Sequence, residues 1–171
     1  MEITLTLVTK QKGNKTLLIY QISLLYRIIM SLIVALIALA VFLNKPVTVS
    51  GIIILTVCFL AMLYEEKWLF DNTTGTIVYY FGLIILKKKR VFAFSEIDNL
   101  SINHFARGKL NQETLPPPEK MPFGSQTRLI LNLKTMNPVL INTTNFNRRK
   151  KLIDDAEAIS RYTNITLNFD N

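Results

Sequence analysis

The chain has 171 residues, half of them hydrophobic, and carries a formal net charge of +8 from 20 Lys and Arg against 12 Asp and Glu. A single cysteine, Cys58, and a single histidine, His104, exclude an intrachain disulfide and a multi-histidine metal site, and the two are too far apart in sequence to suggest a Cys-His pair. The positive charge implies attraction to polyanions, and the crowding of apolar residues into one stretch favours anionic lipid over nucleic acid.

In Met1–Val8, Ile3, Leu5 and Leu7 alternate with threonines, the period of a half-buried strand. This strand is expected to pair with an edge of the sheet that forms further along the chain. Between Ile28 and Tyr64 the only charged residue is Lys45. The run Ile28–Leu43, extended back through Leu24, Leu25 and Tyr26, reaches the length of about 20 residues that crosses a hydrocarbon core of ~30 Å. Asn44-Lys45-Pro46 interrupts it, because proline cannot continue a helix. A second uncharged run, Val47–Tyr64, follows, and Glu65, Glu66, Lys67 and Trp68 mark the next interface. Two spans with a short turn predict a transmembrane α-hairpin over residues 20–66, preceded by an N-terminal strand segment, 1–19. A signal peptide does not fit, since mixed residues precede the apolar core and another span follows at once. Ala35, Ala38, Ala40 and Gly51 would let helices approach closely. Cys58 reads as a small apolar residue inside the second run. Basic residues flank the pair at Lys10, Lys12, Lys15, Arg27 and Lys67, which predicts a multi-pass protein with both termini cytoplasmic.

From Trp68 the period shortens. Trp68–Asp71, Thr76–Phe81, Leu83–Leu86, Lys88–Phe94 and a segment through Ile97, Leu100 and Ile102 read as strands, with a turn at Asn72–Gly75. Arg128–Lys134 alternates cleanly, and Thr135–Pro138 turns it into Val139–Thr143. A helix capped by Asn145 or Asn147 runs to Tyr162, with Leu152, Ala156 and Ile159 on its packing face and Ile153 broadening it. Residues 67–171 are therefore expected to form a small α+β domain. Residues 106–126, with three successive prolines, are expected to be a mobile loop within it.

The opener Phe70-Asp71, then Thr74-Gly75, Gly82, a basic strand, Phe94-Ser-Glu-Ile97, a Leu-x-Leu-x-Leu strand and a final Ala-Glu-Ala-Ile helix resemble a family. They are similar to the bacterial pleckstrin-homology-like (YcxB-like) membrane proteins, over about residues 20–168. The resemblance implies an antiparallel split barrel capped by the C-terminal helix. It also implies a bacterial cytoplasmic or thylakoid-type membrane, and it brings no catalytic residues.

Chemistry is sparse. Glu65-Glu66 reads as an interface marker on a helix, Asp154-Asp155 as a solvated helix face, and His104 as a surface residue. No phosphate loop or hydrolase motif is present. Two basic runs remain, Lys87, Lys88, Lys89 and Arg90, and Arg148, Arg149, Lys150 and Lys151. Both are candidates for contact with anionic lipid or a partner. Lys150–Asp154 and Lys151–Asp155 are spaced to pair along the helix. No enzyme and no cofactor is expected. Stacking of nucleic-acid bases on Tyr79, Tyr80 and Phe81 is disfavoured, since a β-domain needs those residues for its core. The sequence is therefore read as a membrane-anchored interaction module that binds a protein partner and lipid. The alternative is a small accessory subunit of a membrane transporter or enzyme that acts through its helices.

Overall fold

Alternation of apolar and polar side chains governs most of this chain, and it builds two β-sheets. The computed structural model describes residues 5–12, 15–43, 48–105 and 125–170. A first sheet has five strands in sequence order, β1 (Leu5–Lys12), β2 (Lys15–Ile22), β3 (Tyr64–Asp71), β4 (Thr76–Leu83) and β5 (Leu86–Ala93), every pair antiparallel. The second sheet has the order β8 (Val139–Asn145), β7 (Gln126–Leu133), β6 (Ile97–Phe105) and β9 (Leu167–Asp170). Helices α1 (Leu24–Leu43) and α2 (Val49–Met62) lie between β2 and β3 in the chain, and α3 (Arg149–Thr163) precedes β9.

The core forms where the inner faces of the two sheets meet α3. Leu18, Tyr20, Trp68, Phe70, Ile77 and Phe92 of the first sheet are buried with Leu100, Ile102, Leu129, Leu131 and Ile141 of the second. Leu152, Ala156 and Ile159 come from one face of α3, at the spacing read from the sequence. Asn164 ends that helix in the left-handed conformation, φ 58°, which asparagine tolerates better than most residues. The chain then turns back, Leu100 N–H donates to Thr166 C=O, and β9 adds to β6 in parallel.

The expected fold, a membrane α-hairpin joined to an antiparallel split barrel, is not what forms. The chain is mostly β, with nine strands in two sheets and three helices among the described residues. Three differences carry the correction. The N-terminal strand β1 does enter the sheet of the later strands, at its edge, but it pairs with β2 rather than with them, and β2 takes residues 20–22 from the expected hairpin. The second sheet contains a parallel strand, and α3 is not the last element. Among the described residues only α1 is long and apolar enough to cross a membrane, at 20 residues or about 30 Å. The second apolar run gives a helix of only 14 residues, about 21 Å. The cause is strand capture: Tyr64 pairs with Leu83, Glu65 with Gly82, and Ile84 N–H donates to Leu63 C=O at 3.0 Å. Backbone pairing with β4 therefore ends the helix before Tyr64. A multi-pass location consequently has no support, and the span-to-span turn at residues 44–46 lies outside the described residues. The predicted mobile loop also lies outside them, apart from Ser125 and Gln126.

Helices α1 and α2 pack on each other through small contacts. A Cβ on Gly51 would stand 3.2 Å from Val41 Cγ2, so glycine sets their separation there. Ser31 donates to Arg27 C=O at 2.8 Å, one turn back along α1. Neither helix has a buried residue.

Candidate lipid-facing surface

The site is defined by the root of α1, where strand register brings separate parts of the sequence together. Tyr20 pairs with Trp68 and Gln21 with Lys67, so β2 leads into α1 directly beside the strand that leaves α2. The chain thus leaves and re-enters the first sheet at the same end. Across that end, Arg27 of α1 meets Glu65 of β3 at 3.6 Å, and Lys87 of β5 pairs with the same carboxylate. Burial pushes the Glu65 carboxyl up, but Lys87, Arg27 and Lys67 outweigh it and hold the group below its ordinary range. Tyr26 and Tyr64 pack against the core at this junction, each half-buried, as amphipathic rings do at an apolar boundary.

Glu65 and Glu66 were expected on a helix, where neighbours diverge by ~100°. They lie instead in β3 and point to opposite faces. Glu65 joins the ion pairs, whereas Glu66 faces inward and accepts a hydrogen bond from the Tyr79 hydroxyl at 2.9 Å. Burial raises the Glu66 carboxyl, opposed by Tyr79 and by the neighbouring Trp68. The Trp68 Nε1 nevertheless makes no hydrogen bond of ordinary geometry.

The first basic run occupies β5, an edge strand, and Lys87, Lys88, Lys89 and Arg90 are all exposed. Alternation divides them: Lys88 and Arg90 share the face of Phe92, while Lys87 and Lys89 share that of Val91. Arg90 stands over the Phe81 ring, 5.6 Å from its centroid.

The second run lies at the start of α3. Arg148 ends a short 3-10 turn, Phe146–Arg148, and Arg149, Lys150 and Lys151 form the first turn of the helix. No side-chain cap bond from Asn145 or Asn147 forms there. The Arg149 guanidinium stacks over the Phe146 ring at 4.0 Å. Neither Lys150–Asp154 nor Lys151–Asp155 closes to ion-pair distance; among the described residues α3 makes only Arg161–Glu157, at 3.3 Å.

Two contacts fix where this run sits. The Tyr162 hydroxyl donates to Thr16 C=O, at the end of β2 far from α1. The Tyr20 hydroxyl, midway along β2, accepts from Asn142 Nδ2 and lies beside the Asp155 carboxylate. Going from Thr16 to Tyr20 covers about 13 Å of strand, and from Tyr162 to Asp155 about 10 Å of helix. The two elements therefore run in opposite directions. Continuing α3 back to Arg149 adds about 9 Å, which reaches the level of Ile22 and the root of α1. The start of the first basic run, Lys87 and Lys88, and the start of α3 are thus toward one end of the body, whereas Arg90 pairs with Tyr79 and lies level with Tyr20 in the middle of the sheet. Lys10, Lys12 and Lys15, counted in the sequence as flanking charges, lie toward the opposite end of β1 and β2.

Sequence reasoning missed two inward-facing groups. Asp155 was expected on the solvated face, but it points at Tyr20, and its Oδ2 is buried without an ordinary hydrogen bond. Burial raises its carboxyl above the usual value, with Lys151 opposing. His104 was expected at the surface. It is half-buried, its Nδ1 lies 3.1 Å from the Thr127 hydroxyl, and its ring meets Phe146 edge-on. Burial and Arg149 hold its pKa below the ordinary histidine value.

Asp155 gives a measurable pH effect. A carboxyl whose pKa is raised on folding stabilises the native state below its unfolded pKa and loses that contribution as pH rises through the folded one. Asp155→Asn should therefore be about 1 kcal/mol more stable than the parent at neutral pH, the scale of relieving one poorly satisfied buried charge. The gain should fade as the pH falls through the raised pKa of the folded state and be gone once it is below the ordinary aspartate range. Denaturant melts at several pH values measure this, and a pH-independent difference would refute it.

Among the described residues no group of three or more His, Cys, Asp or Glu is placed to hold a metal ion. No family model matches the chain, and no curated protein is similar to it. The resemblance to the pleckstrin-homology-like family has no support beyond the residues quoted for it.

Proposed function

We propose that this chain is a membrane-anchored, non-enzymatic interaction module, with α1 in the bilayer and the two-sheet body at the cytoplasmic face, where it meets anionic lipid and a protein partner. The observation that carries the reading is α1: 20 residues with no buried side chain and with Arg27 as the only charge. A helix that is apolar all round has no wet face and is stable only against lipid or other apolar surfaces. Because β2 and β3 are neighbours, the whole body stands at one end of α1.

Charge supports the orientation. Lys87 and Lys88 lie at the end from which α1 emerges, the start of α3 runs back toward it, and basic residues near a span mark its cytoplasmic side. Each Lys or Arg held near an anionic leaflet contributes about 1 kcal/mol of attraction. An anchored body meets that leaflet at high effective concentration, so weak contacts suffice to orient it. For a protein partner, a groove between β5 and the β7–β8 turn offers Val91, Met136 and Leu140, with Arg90 and Glu96 at its rim.

The test is fractionation of cells expressing the full chain. The protein should stay in the membrane pellet after alkaline carbonate extraction. In a Cys58→Ser background, a Thr73→Cys thiol on the exposed Asn72–Gly75 turn should resist a membrane-impermeant reagent until the cells are opened. Recovery in the soluble fraction would overturn the anchor, and labelling of intact cells would overturn the cytoplasmic placement.

A further inference from the structure

We infer that the β4–β5 turn, Ile84–Ile85, with the adjoining Leu86, dips into the membrane interface beside the root of α1. The inference rests on the proposed anchoring and adds a second, β-built contact with the bilayer. Its first support is position. Ile84 N–H is bonded to Leu63 C=O directly after α2, and Lys87, three residues on, pairs with Glu65, which also meets Arg27 of α1. The turn therefore projects from the same end of the first sheet as the apolar helices.

The second support is chemistry. Leu83 pairs with Leu86, leaving a two-residue turn made of two isoleucines. Turns of this kind normally use Gly, Asn, Asp or Pro, and an apolar β-branched pair at a hairpin tip conflicts with an aqueous setting. Ile85 is 82% exposed and Leu86 is 72% exposed. The opposite end of the same sheet follows the ordinary rule. There the turn is Asn72–Gly75, with Asp71 Oδ1 accepting from the Thr73 and Thr74 N–H groups. One end of the sheet thus has a polar, hydrogen-bonded turn and the other an apolar one. A local rule broken at one tip and kept at the other indicates different surroundings.

The third support is the order of residues behind the tip. Gly82 has φ +122°, and a Cβ there would come within 2.6 Å of Leu86 C=O, so this glycine allows the tight closure. Lys87, Lys88, Lys89 and Arg90 follow immediately, rising about 3.3 Å per residue away from the tip. The polar head-group zone adds roughly 5–8 Å on each side of the hydrocarbon core. With the tip at the edge of that core, Lys87 and Lys88 lie among lipid phosphates. Apolar residues leading and cations trailing is the arrangement of interfacial membrane contacts.

Spin labels placed one at a time at Ile85→Cys, Leu36→Cys and Thr73→Cys test this in the full-length Cys58→Ser chain. The protein is reconstituted into vesicles of phosphatidylcholine and phosphatidylglycerol, and collisions with oxygen and with a water-soluble nickel complex are compared. All three positions are exposed, so the labels do not challenge folding. The labels at 85 and 36 should favour oxygen several-fold over nickel, and the label at 73 should show the reverse. A label at 85 that behaves like 73 while 36 stays in lipid overturns the inference and leaves the anchor standing. Water access at both 36 and 85 overturns the anchor as well. A label at 85 shielded from both reagents means that protein covers the tip, which also overturns the inference.

Discussion

A chain carrying Leu32→Arg and Leu36→Arg together should no longer float with vesicles in a density gradient, whereas the parent chain should float. Thirteen residues of α1 are Leu, Ile, Val or Phe, each worth roughly −0.3 to −0.6 kcal/mol on insertion, a total of about −4 to −8 kcal/mol. An arginine near the helix centre costs roughly 2.5–3.5 kcal/mol, so two of them bring insertion to balance or beyond. Both leucines are exposed, so neither substitution removes a core contact or changes the sheets. A single substitution should have a partial effect, because one long side chain can bend toward the nearer head groups. A double variant that floats like the parent would show that α1 does not hold the protein at the membrane.

The basic start of α3 belongs to the same argument. Cations at a helix N-terminus oppose the macrodipole by about 0.3–1 kcal/mol each, and Arg149, Lys150 and Lys151 occupy that turn without an acidic neighbour in it. Stacking of Arg149 on Phe146 offsets part of this cost. Anionic lipid at the root of α1 would offset more. The arrangement is locally unfavourable in water and becomes favourable at a charged surface.

What could be read from the sequence depended on whether the signal was local. Strands β4, β7 and β8 and helix α3 carry their period within a few residues, as Leu129 and Leu131 or Leu152, Ala156 and Ile159 illustrate, and they form where that period places them. The errors arose where pairing with a distant strand decided the outcome. Hydropathy carries Val47–Tyr64 through as one span, yet Tyr64 and Glu65 are taken by β4. Leu83–Leu86 is rich in strand-forming residues and reads as a strand, but its middle is a turn. The expected boundary between strand segment and hairpin at residue 20 cuts through β2, because only the register of β2 with β3 shows that it is an inner strand running to Ile22. The four residues of β9 are too few for a period to show. For the candidate site, the basic runs were visible as charge. The placement of Lys87 and of the start of α3 toward one end was not, because it depends on α3 running opposite to β2, as Tyr162 on Thr16 and Asp155 beside Tyr20 place it.

Trp68→Ala should cost the body about 3–5 kcal/mol, the range for truncating a buried large aromatic. Trp68 is fully buried at the middle of the first sheet, flanked across the strands by Tyr20 and Tyr79. Its ring stacks on Tyr79 with centroids 4.0 Å apart and faces Phe92 at 6.4 Å. Those neighbours are held in their own strands and cannot collapse fully into the space left by alanine. Detergent-solubilised chain of this size should lose about 10 °C in melting temperature. Trp68→Phe should cost under about 1.5 kcal/mol, since it keeps an aromatic ring and removes an indole N–H that makes no ordinary hydrogen bond. The comparison also separates body from anchor. Trp68 lies outside α1, so the alanine variant should still float with vesicles while its body melts early. A variant as stable as the parent would contradict the packing of the two sheets around this residue. Loss of flotation with α1 intact would mean that the body, rather than the helix, holds the protein to lipid.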